Sequence, residues 1–79
     1  MVKAVRHFTI REIRDGGGIV EMDDGSLWKA VSGDTGKILL WQPGQHITLV
    51  ESAKTVQPDR MINIDTRDRD IVAVRPLVS

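Results

Sequence analysis

Apolar runs rich in β-branched residues, some alternating with polar positions by a period of two, lie between short clusters of turn residues, the pattern of strands rather than helices. The turn clusters are Asp15-Gly16-Gly17-Gly18, Asp23-Asp24-Gly25-Ser26, Ser32-Gly33-Asp34-Thr35-Gly36, Gln42-Pro43-Gly44-Gln45 and Thr66-Arg67-Asp68-Arg69, with a looser stretch from Ser52 to Asp59. They recur about every 8–12 residues with β-branched residues dominant between them, which marks a meandering all-β domain. The pattern predicts strands over Ala4–Arg14, Ile19–Met22, Leu27–Val31, Lys37–Trp41, His46–Glu51, Met61–Asp65 and Asp70–Arg75. The only helical candidate is a turn within Ser52–Asp59, limited by Pro58.

Local chemistry adds register. Phe8 and Ile10 share a face but Ile13 falls on the other, so a bulge near Arg11–Glu12 is expected to bring it inward. A three-residue Asp23-Asp24-Gly25 loop sets Val20 opposite Trp28 and gathers Val20, Met22, Trp28 and Ala30 on one face. A two-residue loop would scatter them, so the longer one is preferred. Pro43-Gly44 spells a type II turn, with positive φ expected at Gly44 as at Gly25. That turn is expected to join Ile38–Trp41 to Ile47–Val50 as the most buried pair of strands. In the final hairpin, Ile62 and Ile64 are expected to face Val72 and Val74 in the core. Phe8, Trp28 and Trp41 are all assigned to the interior. The architecture expected is one domain spanning residues 1–79, a small twisted antiparallel barrel of five to seven strands, SH3-like, with an OB-like barrel as the alternative.

Composition narrows the partners more than the fold. A chain of 79 residues has room for one modest core, and without cysteine it has neither disulfides nor thiolate metal sites. Such a barrel must close well by itself or associate with another chain. Lys plus Arg and Asp plus Glu both total 11, which removes any global pull toward nucleic acid or anionic membrane. Basic residues still gather locally: Lys3, Arg6, Arg11 and Arg14 in the first strand, and Arg60, Arg67, Arg69 and Arg75 in the last hairpin. If the chain ends lie side by side, they form a mildly basic face; otherwise they are scattered solvated charge. The opening Met1–Phe8 has no apolar targeting core, and no stretch reaches transmembrane length. A cytoplasmic protein without membrane insertion is expected, the mature form of an exported one being the alternative.

The residues that could carry chemistry do not assemble into a known pattern. Asp23, Asp24, Asp65, Asp68 and Asp70 offer oxygen ligands, but neither cluster has calcium-loop spacing, and aspartate is the ordinary residue of tight turns. His7 and His46 fall on different strands and are too few for a zinc site without convergent carboxylates. No serine or threonine sits in a nucleophile elbow, and Asp15-Gly16-Gly17-Gly18 leads into a strand rather than the helix a phosphate loop requires. The domain is also small for an enclosed substrate pocket. No catalytic, cofactor-binding or metal-ligating residue is therefore assigned, no cofactor is expected, and the chain does not read as an enzyme.

Asp24-Gly25-Ser26-Leu27-Trp28, followed by Trp41-Gln42-Pro43-Gly44-Gln45-His46-Ile47, resembles small bacterial domains of unassigned function. Those domains carry D-G-S-x-W, then W-x-P-G-D-x-I, then a closing hairpin. Gln45 stands where that pattern usually has aspartate. The resemblance implies a small SH3-like β-barrel and brings no catalytic residues. The function expected is a non-catalytic structural or protein-binding module, its partner another protein or a second copy. Contact would be made through the Asp15–Gly18 and Ser32–Gly36 loops or an unpaired edge strand. The alternative is weak nucleic-acid binding by the basic terminal strands, which would lack the exposed aromatic platform such barrels use.

Overall fold

Strands β1 (Val2–Arg14), β2 (Ile19–Met22), β3 (Leu27–Ala30), β4 (His46–Ser52), β5 (Asp59–Asn63) and β6 (Ile71–Pro76) are joined with one turn of helix, α1 (Thr35–Ile38). They were traced in a computed structural model that describes residues 2–77 other than Ser32, Asp34 and Thr55, with side chains from Ala4 onward. The six strands close into an antiparallel barrel in the order β1-β2-β3-β6-β5-β4. Among the described residues the ring closes, so the expected open edge strand is not found there.

β1 serves two neighbours. Its first part pairs with β4 from Val2↔Ser52 to Thr9↔His46, and its last part pairs with β2 from Ile10↔Met22 to Arg14↔Ile19. The register shifts between Ile10 and Glu12, where the bulge was expected. A bulge increases local twist and lets one long strand turn the corner of a small barrel. It also brings Ile13 against the core.

The β2–β3 hairpin takes the longer loop, with Val20↔Trp28 paired, the Gly25 amide donating to the Met22 carbonyl at 2.9 Å, and φ of 88° at Gly25. The D-G-S-x-W run is a relay of hydrogen bonds. Asp24 Oδ1 accepts from the Ser26 amide at 2.9 Å and the Ser26 hydroxyl at 2.6 Å. The same hydroxyl accepts from Trp28 Nε1 at 3.1 Å. Bonding to the Ser26 side chain, then to its amide, holds the Asp24 carboxyl below the usual carboxylate range. A turn acid thus fixes the polar edge of a core indole.

The segment Lys37–Trp41 is not a strand. The Leu39 amide donates to Thr35 O at 3.0 Å and the Trp41 amide to Ile38 O at 3.0 Å, so the chain coils. Ile38 and Trp41 point inward while Leu39 and Leu40 point out, a spacing of three where a strand would give two. The reason is topological. β4 must cross from β3 to lie beside β1, and a helical turn makes that crossing while plugging the end of the barrel where β4 begins. The Gln42–Gln45 turn keeps its expected form, with φ of 94° at Gly44 and the Gln45 amide donating to Gln42 O at 3.2 Å, but it links the helical plug to β4.

β5 is also one residue out of phase with expectation. Met61 and Asn63 face the core with Val72 and Val74, while Ile62 is half-buried and Ile64 exposed. The pairing Met61↔Val72 sets this phase. Asn63 can be buried because it is satisfied: its Nδ2 donates to Gln45 Oε1 at 2.8 Å and its Oδ1 accepts from the Asp65 amide at 3.0 Å. Gln45 Oε1 also accepts from the Gln42 amide at 2.9 Å, so this side chain ties its own turn to the core.

Candidate interaction surface

Several of the groups with possible chemistry are tied to neighbouring strands and turns. His7 and His46 lie outward on neighbouring strands, opposite Thr48 and Thr9. His7 Nδ1 meets Thr48 Oγ1 at 3.2 Å, and His46 Nδ1 meets Asp65 Oδ2 at 2.8 Å. The His46 amide donates to the same Asp65 oxygen at 2.7 Å. Hydrogen bonding from the His46 side chain, then from its amide, lowers the Asp65 carboxyl below its ordinary range. Asp70 accepts from Trp41 Nε1 at 3.2 Å. Among the described residues no three histidine or acidic side chains come close enough to hold a metal ion.

The basic residues divide. Arg6 pairs with Glu51 and Arg11 with Glu21, each at 3.1 Å, while Arg14 bonds both Glu12 and Glu21. Those acids raise the Arg14 guanidinium further above its ordinary value, Glu12 contributing most. β1 and β6 are separated by two strands in either direction around the barrel, so the two basic groups do not lie on neighbouring strands. Phe8, Trp28 and Trp41 are all buried, with Arg6 Cζ 5.2 Å from the Phe8 ring centre and 6.0 Å from that of Trp28.

The capped end of the barrel is different. After β1, Asp15–Gly17 forms a tight turn of left-handed backbone, with φ of 55°, 64° and 89° at Asp15, Gly16 and Gly17. Gly17 lies so close to α1 that a Cβ there would stand 2.6 Å from Thr35 O and 3.1 Å from Leu39 Cγ. The glycine run is therefore a seat for the helical turn. Asp15–Gly18 meets the described part of Ser32–Gly36, of which Ser32 and Asp34 lie outside the described residues.

On this seat α1 and the turn that continues it to Trp41 have two faces. Ile38 and Trp41 close the core, and Leu39 and Leu40 are 59% and 77% exposed. Lys37 Nζ reaches across to the carbonyl of Ile71 at 3.4 Å, and the Ile71 side chain is itself half exposed. Sequence reasoning missed the leucine pair by assigning both to a buried strand. Gly33 through Gly36 ahead of them gave no signal against a strand, since β2 likewise follows a glycine run, Gly16 to Gly18.

Among the described residues no helix is long and apolar enough to cross a membrane. Compared with known proteins, the chain matches no protein family, no curated protein and no solved structure.

Proposed function

We propose that this domain is a non-catalytic, SH3-like structural or protein-binding module that docks another polypeptide through its capped end. The partner is a different protein or a second copy. The observation that carries this reading is the outward Leu39–Leu40 pair on a helical turn whose other face is already committed to the core. Single exposed leucines are ordinary, but an adjacent pair held on a seated element offers about 1.5–3 kcal/mol per side chain to whatever covers it.

Site-specific photo-crosslinking in cells tests the reading. A photoreactive residue in place of Leu40 should give a discrete polypeptide adduct, either a dimer of this chain or a heavier species. The same residue in place of Lys29, exposed on β3, should not. No discrete adduct from position 40 would contradict the proposal. So would tight oligonucleotide binding that weakens steeply with salt, since that outcome assigns the domain to nucleic acid instead.

A further inference from the structure

A second surface lies at the opposite ends of β4 and β5 from the cap. Outward residues form a row across four strands, Val5 beside Val50, Val50 beside Arg60 and Arg60 beside Ala73. Above this row an open groove of about 430 Å³ is floored by Val50, Arg60 and Ala73 and walled by Pro58 and Gln57. It adjoins a second groove of about 280 Å³ bordered by Lys54 and Arg75, with Glu51, Ser52 and Gln57 common to both.

The charges here are unevenly satisfied. Glu51 is held by Arg6 at 3.1 Å, and Asp59 Oδ1 accepts from the Ser52 amide at 2.8 Å. Arg75 donates to the Val56 carbonyl at 3.3 Å and so secures the overhanging loop. Arg60 meets no carboxylate or other hydrogen-bond acceptor among the described residues. The trough thus presents an unpaired guanidinium on an aliphatic floor, with a lysine on its rim and both of its acids already engaged.

We infer that this groove binds an extended acidic segment of a partner protein, one in which an aliphatic side chain stands two residues from a carboxylate and so shares its face. The carboxylate pairs with the Arg60 fork, which suits bidentate recognition, and the aliphatic group covers Val50 and Ala73. The closed ring of described strands gives no open edge for main-chain pairing, which favours side-chain recognition in a groove for an extended peptide. The inference rests on the protein-binding reading but assigns a contact separate from the leucine pair.

A displayed library of random heptapeptides, selected against the full chain and in parallel against its Arg60→Glu variant, is the test. Wild type should enrich sequences pairing Asp or Glu with Leu, Ile or Val. The best peptide should move the backbone amide resonances of Val50–Ser52, Gln57, Asp59 and Arg60, and should lose about tenfold in affinity on Arg60→Gln, with Arg60→Lys intermediate. Arg60 is exposed, so these variants should keep the wild-type amide spectrum elsewhere. Enriched peptides without acids, peptides that bind Arg60→Glu equally well, or no enrichment would overturn the inference. Peptides that shift Leu39 and Leu40 instead would overturn the groove while leaving the protein-binding reading standing; crosslinking from position 40 judges that reading separately.

Discussion

Trp41→Ala should lose about 3–5 kcal/mol of unfolding free energy, the cost of removing a buried large aromatic that the surroundings cannot replace. The indole is only 3% exposed, closes the open end of the barrel with Ile38, and donates through Nε1 to Asp70. Typical domain stabilities are roughly 5–15 kcal/mol, and a small core sits toward the low end, so the variant should be close to unfolded at room temperature. Trp41→Phe keeps most of the packing but orphans the Asp70 contact, and should lose about 1–2 kcal/mol. Chemical denaturation followed by far-ultraviolet circular dichroism reads both. A loss below 1 kcal/mol for the alanine variant would show that the plug is not part of the core.

The second large effect belongs to a residue with no side chain. Gly17→Ala meets two penalties. A positive φ of 89° disfavours any Cβ, and the added methyl would stand 2.6 Å from Thr35 O, the carbonyl that accepts the Leu39 amide in α1. Gly16 separates these, because it also has positive φ, at 64°, but nothing lies within 4 Å of its absent Cβ. Gly16→Ala should therefore cost about 1–2 kcal/mol from backbone conformation alone. Gly17→Ala should cost about 2 kcal/mol more, from overpacking against backbone that cannot step aside. Equal losses at the two positions would mean that α1 does not rest on the glycine turn.

The contrast between these two regions shows what was legible. The register of the β2–β3 hairpin and its three-residue loop could be read from Val20 to Ala30, because a slipped register would have exposed Trp28 or buried Lys29. The bulge in β1 was legible for the same reason, through the misplaced phase of Ile13. Ile38-Leu39-Leu40-Trp41 offered no such discrimination. Four consecutive apolar residues satisfy a strand and a helical turn equally, and what decided between them was the need for a crossing between β3 and β4. In β5, two isoleucines flank a polar asparagine, and hydrophobicity alone chose the isoleucines. Asn63 won the interior because Gln45, 18 residues earlier, could satisfy it, a pairing visible only once the barrel is closed.

The candidate surfaces follow from those two misreadings. The leucine pair became exposed when the strand became a helical turn. The outer face of β5 acquired Ile62 when its phase moved by one residue, beside Arg60, which lies outside the expected strand Met61–Asp65. Residues spent on the core in a sequence reading are thus available for contact in the fold, and this is why the surface was harder to foresee than the barrel.

Solvent paramagnetic relaxation on a methyl-labelled sample tests the two-faced helical turn most directly. With a soluble gadolinium chelate, the methyl signals of Leu39 and Leu40 should both broaden strongly, while the Ile38 methyls, fully buried beside Trp41, should be spared. If Ile38 and Leu40 instead behave alike and Leu39 is protected, the segment alternates as a strand. The plug, its glycine seat and the exposed pair proposed for docking would then all be wrong.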